Sequence, residues 1–486
     1  MNKEKKDERY PWLLLSVTSL GAISNGLNLS VLNVALPTIS KYFQASSLET
    51  SWILLSYMLF NSVLILVFGR LSDIVGRRNL YLLGVVGYAI ASLLCGFATS
   101  AFTLILLRIL QAIGAALLVT NTTTLITDAF PSDRLGQALG IHALVLSVAQ
   151  MVGPALGGYL TANFGWQWVF WFHVPIGLLC AAWGFFNIRK TPKSDKKDSI
   201  DIVGNLTVFL GVGGLVIALS IGGEVGFMSL PVLPGFVAFV ACFVFFLRYE
   251  RKVKHPMIDL GLFKNYQYAM ANLANLISAS MRAAILLLVP LHLQYVSNYD
   301  AQESGFIVLP MAIGMAAASP IAGTLARHFQ AKYLSTFGLL MTAVGVTVMI
   351  VYAVIPIPLY WLIAGEILFG VGKGLFAVPN TTTIMLTVPP DRRGVANGIR
   401  STSQNVGKLV STALSMMLIT IFLPTEQKNA VYRGQGRDFS GNEHAQLANG
   451  FIIAFAVMLA LGIAAMFVSW SRGDEKPNGS DKPEEQ

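Results

Sequence analysis

Runs of about 20 mostly apolar residues recur along this chain from end to end, each long enough to cross a bilayer as a helix. No other feature narrows the fold as far. Inside lipid the backbone must satisfy its own hydrogen bonds, and a helix does so within the segment. The 486 residues are 54% hydrophobic and only 12% charged. A soluble domain carries about a quarter charged residues, so this chain lacks the charge to cover a water-facing surface. Fourteen spans are expected, near 11–37, 49–69, 79–99, 102–127, 137–161, 168–188, 202–222, 230–248, 267–296, 303–325, 333–355, 359–387, 395–423 and 447–470. The first run carries Asn25, Asn28 and Asn33 and has no small-residue cleavage site. It reads as a retained span rather than a signal peptide.

A net charge of +9 raises the question of nucleic acid, and the placement of the charge answers it. Of the 34 Lys and Arg, only Lys41, Lys428, Arg433 and Arg437 fall in outer loops when the N-terminus is inside. Arg108, Arg282, Lys373, Arg400 and Lys408 fall within spans. The others all lie in cytoplasmic segments, the asymmetry of the positive-inside rule. Both termini are therefore expected in the cytoplasm, with the chain in the plasma (cell) membrane and no nucleic-acid partner. Cys95, Cys180 and Cys242 lie in separate apolar spans without metal-ligand spacing, so they read as packing residues and no metal is expected. The loop at 424–446 and the tail 471–486 are polar, and the cytoplasmic tail has the composition of a disordered segment.

The chain repeats itself. Pro131, Asp133, Arg134, Gly136, Ala138, Gly140 and Ile141 match Pro389, Asp391, Arg392, Gly394, Ala396, Gly398 and Ile399 at an offset of 258. Asn121 to Thr124 match Asn380 to Thr383 at an offset of 259. Each copy is a span descending to a cytoplasmic loop, so the repeat is parallel, a common transporter plan. The expected fold is an all-α membrane protein of fourteen transmembrane helices: two pseudo-symmetric six-helix bundles plus two inserted helices. The bundles cover 1–188 and 265–470, and a linker at 189–264 holds the two extra helices.

The segment Gly69-Arg70-Leu71-Ser72-Asp73-Ile74-Val75-Gly76-Arg77-Arg78 resembles the loop signature of the major facilitator superfamily. Gly69 and Gly76 permit a tight turn, Asp73 can pair with basic groups or a helix N-terminus, and Arg77 and Arg78 hold the loop inside. The resemblance implies that this cluster latches the halves on the inner face in one state and releases in the other. A decayed copy runs from Gly323 to Lys332. Leu107-Arg108 through Gln111 to Gly114 is similar to the family's buried-arginine motif, and an intramembrane Arg is a functional-site hypothesis by default. Gly153-Pro154 with Gly157-Gly158 is similar to its antiporter motif. There Pro154 can bend the helix and the glycines admit a close neighbour. With fourteen spans, the resemblance is to the fourteen-helix drug:proton antiporter branch. It implies efflux of a small organic solute, as in multidrug resistance, against protons or another coupling ion.

One position departs from that branch, whose aspartate is replaced by Asn28. An amide cannot titrate, so this chain must use another group or couple differently. Glu366 is the one carboxylate clearly at membrane depth and is the proton-coupling candidate. Lys373 lies seven residues on, about 10 Å along the axis, too far to pair directly. Candidate cavity residues are Asn28, Asn33, Arg108, Gln111, Arg282, Lys373 and Lys408. The deep cations of the second half admit two readings: structural pairing with Glu366 and backbone carbonyls, or a cationic wall facing an anionic or zwitterionic solute. Enzyme motifs fail. Gly370 to Gly374 lacks the Ser or Thr and the glycine spacing of a phosphate loop, so no nucleotide or other cofactor is implied and no enzymatic activity is expected. The favoured function is a gradient-driven exporter of amphipathic organic compounds. The alternative is a transporter of a specific anionic or zwitterionic solute or anionic lipid, not necessarily an antiporter. A monomer in the lipid bilayer is expected.

Overall fold

The computed structural model describes residues 2–189, 201–226, 229–253, 260–432, 439 and 441–473. Part of the linker, part of the loop at 424–446 and the expected disordered tail beyond 473 lie outside the described residues. Among the described residues every element is helical: α1 (Asn2–Phe43), α2 (Ser47–Val75), α3 (Arg77–Cys95), α4 (Ala101–Ala129), α5 (Ser132–Phe164), α6 (Trp168–Trp171), α7 (His173–Asn187), α8 (Ile202–Val225), α9 (Leu233–Glu250), α10 (Tyr266–Tyr295), α11 (Ala301–Ile307), α12 (Leu309–Leu325), α13 (Ala331–Val354), α14 (Leu359–Leu386), α15 (Arg393–Ile419), α16 (Thr425–Tyr432) and α17 (Gly441–Ser471). Short 3-10 turns cover Leu260–Lys264 and Pro390–Arg392.

Local chemistry sets the boundaries. Ser46 and Glu49 form a capping box that starts α2, and Asp300 with Glu303 does the same for α11. Between α2 and α3 a single residue, Gly76, turns the chain at φ 106°, a conformation that favours glycine. Among the described residues, twelve helical segments are long and apolar enough to cross a membrane. Two of them are broken, at Phe172 between α6 and α7 and at Val308 between α11 and α12. The spans expected at 202–222 and 395–423 fall on α8 and α15, which are not among the twelve. On α8 the apolar stretch counts only Val203–Leu219. On α15 the run Asn397, Arg400, Ser401, Thr402, Ser403, Gln404, Asn405 and Lys408 makes the helix too polar.

The chain divides into two compact units. The first holds Met1–Asn205, Glu250–Leu260 and Ile384–Thr402. The second holds Leu206–Tyr249, Gly261–Thr383 and Ser403–Gln486. In the first unit α3 packs on α4, α1 on α5 and α2 on α4. In the second, α17 packs on α10 and α13, around a core of Leu288, Met311, Val346, Leu362, Phe369, Phe451 and Met458. Large apolar side chains such as Leu83, Phe102, Phe186, Val237 and Phe337 remain exposed, as expected where lipid is the solvent.

Candidate functional site

The residues singled out from sequence fall into three groups, two in the first unit and one in the second. The first is the loop after α2. Asp73 accepts hydrogen bonds from the backbone N–H groups of Gly394 (3.1 Å) and Val395 (3.2 Å). Those N–H groups belong to the first turn of α15, where no intrahelical acceptor exists and a negative charge meets the positive end of the helix. Arg77 pairs with Asp73 at 2.9 Å, donates to the carbonyl of Pro390 at 2.6 Å, and pairs with Asp128. Asp128 also receives Arg393 at 3.0 Å. Gly69 is needed for the approach: a Cβ there would lie 2.7 Å from the carbonyl oxygen of Gly394. Deeper in the same unit Asn397 donates to the carbonyl of Thr120 at 2.9 Å, and Ser72 donates to Asn121 at 2.5 Å. Arg78 donates to the carbonyl of Phe185 at 2.8 Å and stacks on its ring. Sequence reasoning missed Asp128. The signal was present, because Arg77 and Arg78 outnumber the single acid of their own loop.

The second group surrounds Arg108, which is fully buried. Its Nη1 donates to Asn28 (3.0 Å) and to Gln111, and its Nε donates to the carbonyl of Ile53 (3.2 Å). The guanidinium stacks 4.2 Å from the centre of the Tyr57 ring. Asn28 donates in turn to the Tyr88 hydroxyl at 2.7 Å, and Gln111 to Ser92 at 2.7 Å. Every one of these partners is neutral, and Nη2 has none among the described residues. The glycines at 153–158 pack against α1. Gly153 and Gly157 face Ser30 and Val31 of α1 so closely that a Cβ on Gly157 would lie 2.5 Å from the Val31 carbonyl oxygen. Gly158 has ordinary clearance, and Pro154 is exposed. Asn33 is exposed and outside the network.

These contacts predict the effect of Asn28→Asp. A carboxylate would accept from both Arg108 and Tyr88, giving the buried guanidinium a counter-charge. Hydrogen bonds to charged groups exceed neutral ones by about 1 kcal/mol. The variant should melt at a higher temperature in detergent. A lower melting temperature would mean that Arg108 already has a negative partner.

The third group lies in the second unit. Lys373, on α14, is buried and donates to both the carbonyl and the hydroxyl oxygen of Ser278 on α10. Arg282 and Lys408 are half-buried, and Lys408 donates to Asn405 at 3.3 Å. Glu366 is fully buried, and neither carboxylate oxygen has a hydrogen-bond partner among the described residues. It shares a face of α14 with the core residues Leu362 and Phe369, four residues before it and three after. The offset of 258 places Glu366 against Arg108 of the first copy, with Ile109-Leu110 against Ile367-Leu368 and Gly114 against Gly372. The equivalent positions thus hold an arginine and a glutamate, a correspondence visible in the sequence.

The family model described as Major Facilitator Superfamily matches residues 18–258 and 271–486. Among curated proteins the chain is 30% identical over 422 residues to the riboflavin transporter RibZ of Clostridioides difficile, covering 86% of this chain and 91% of that one. It is 31% identical to the multidrug resistance protein Stp of Mycobacterium tuberculosis, covering 85% and 77%. It is 28% identical to the multidrug export protein EmrB of Escherichia coli, covering 86% and 82%. Among solved structures, the proton:xylose symporter XylE bound to 6-bromo-6-deoxy-D-glucose shares the fold, with a TM-score of 0.67 at 14% identity over 97% of this chain and 98% of that one.

Proposed function

This chain belongs to the major facilitator superfamily, and on that premise we propose that it is a proton-coupled exporter of amphipathic organic compounds in the cell membrane. Its relatives are transporters and not enzymes, and they include multidrug efflux proteins. The proposal places fourteen helices across the bilayer, two six-helix bundles with α8 and α9 inserted between them in sequence, and both termini in the cytoplasm. A small organic solute moves one way and protons the other.

The observation that carries the coupling is the state of Glu366. A carboxyl group buried in an apolar core with no donor can be charged there only at a cost of several kcal/mol. Gaining and losing its proton is therefore tied to a change in its surroundings, which is what coupling requires. Asn28 cannot take this role because an amide does not titrate. The Asp73 cluster supplies the conformational switch: the carboxylate holds the first turn of α15 and releases it during the cycle. The reading is tested by loading purified protein into vesicles, imposing a pH gradient and following a panel of amphipathic dyes. Accumulation of at least one dye that collapses with the gradient is the expected result. Indifference of every dye to the gradient would sink the coupling.

The alternative, a carrier of a specific anionic or zwitterionic solute, is favoured by one observation: Lys373 is buried in the second unit, where it donates to the carbonyl and hydroxyl oxygens of Ser278.

A further inference from the structure

We propose that the first unit binds a small monovalent anion, chloride, on Arg108, and that this ion supplies the negative charge that Asn28 lacks. Arg108 is 0% exposed, and a guanidinium keeps its charge inside a protein. The described groups around it are all neutral. They are the Ile53 carbonyl at 3.2 Å, the Asn28 amide at 3.0 Å, the Gln111 amide, and the rings of Tyr57 at 4.2 Å and Phe170 at 5.9 Å. Amide dipoles and ring faces soften the cost of a buried charge, but a charge without a counter-charge remains strongly unfavourable there.

The amides have nothing further to give. Asn28 turns its oxygen to Arg108 and spends its nitrogen on the Tyr88 hydroxyl at 2.7 Å; Gln111 does the same with Ser92 at 2.7 Å. What is left is a donor: Nη2 of Arg108 is buried and has no partner among the described residues. A second donor stands on the same turn of α2. Arg108 lies against Ile53 and Tyr57 of that turn, and between them in sequence the Ser56 hydroxyl is buried, also without a partner among the described residues.

An N–H and an O–H with no acceptor, beside one uncompensated positive charge, call for an acceptor of single negative charge. Chloride needs only donors and imposes no orientation on them. A doubly charged oxyanion would overshoot the balance and bring several oxygens to a guanidinium that is closed to solvent. Position 28 points the same way, because the branch this sequence resembles has an aspartate there. A carboxylate at 28 and a bound anion are then two ways of meeting one requirement, and either makes the other unnecessary.

The test follows the melting temperature of the purified full chain in detergent while sodium gluconate is replaced by sodium chloride at constant ionic strength. The parent should show a saturable rise of about 5 °C once chloride is in hundredfold excess over its dissociation constant, and bromide should act alike. Asn28→Asp should melt in gluconate as the parent does in chloride and should lose the chloride response, so the gain from that substitution is largest in gluconate. Arg108→Gln should lose the response as well; should it fail to fold, Asn28→Asp decides alone. A parent that melts at one temperature in both salts overturns the proposal. A chloride response of equal size in Asn28→Asp also overturns it, since the ion would then act at another cation. Melting involves no transported solute, so failure here leaves the exporter reading standing, and failure of the dye panel leaves this site standing.

Discussion

Glu366→Gln reduces pH-driven solute movement to background while the protein still folds. Gln has the size of Glu and no proton to exchange. Among the described residues the Glu366 oxygens have no partner to lose, so the substitution stays within about 1 kcal/mol of the parent in stability. The two readouts therefore separate. A merely structural Glu366 would leave transport intact, or would lower transport and melting temperature together. The coupling role predicts loss of the pH dependence alone, with downhill solute movement surviving. Glu366→Asp, one methylene shorter, should retain a pH response that Gln lacks.

The second large effect belongs to the inner-face cluster. Arg77→Ala leaves Asp73, whose side chain is 3% exposed, without its ion-pair partner. Breaking a buried pair by removing one partner costs roughly 3 kcal/mol or more. Asp128 suffers less, because its side chain is 26% exposed and keeps Arg393. The state in which Asp73 holds α15 is therefore strongly depleted, and transport should fall more than tenfold, since about 1.4 kcal/mol is a factor of ten. Asp73→Asn is milder. The amide oxygen can accept from Gly394 or Val395 but carries no charge for Arg77, so transport falls while the yield of folded protein holds. Equal transport by Asp73→Asn and parent at matched expression would reduce this loop to a topological marker. Gly69→Ala gives an independent check, because its Cβ meets backbone at 2.7 Å and blocks the same approach without changing any charge.

Much of this architecture is legible in the chain because lipid leaves few options. A run of apolar residues of the right length has to be a helix, and Gly69, Asp73 and Gly76 announce the turn between α2 and α3. The matching loops at 131–141 and 389–399 announce the repeat. The partners were less legible, because they come from distant stretches. Nothing near Asp73 in sequence points to Gly394, over 300 residues away, or near Lys373 to Ser278. Asn28 reads as a cavity candidate because it replaces an expected acid, and the partners its amide takes, Arg108 and Tyr88, are likewise distant in the chain. The isolation of Glu366 could not be read from spacing. Its distance from Lys373 along α14 excludes direct pairing, but only the packed core of the second unit shows that neither oxygen meets a donor among the described residues. The division of the chain was also hidden: Ile384–Thr402 belongs by sequence to the second repeat and by contacts to the first unit.

The central claim is that solute and proton move in opposite directions through Glu366. Vesicles sealed around a pH-sensitive dye, with a solute gradient and no initial pH gradient, test it most directly. Downhill movement of a transported dye through the parent protein should drive protons the other way and shift the internal pH. Glu366→Gln should move the solute without the shift. Solute movement through the parent with no change in internal pH, or an equal pH change in Glu366→Gln, would contradict the account.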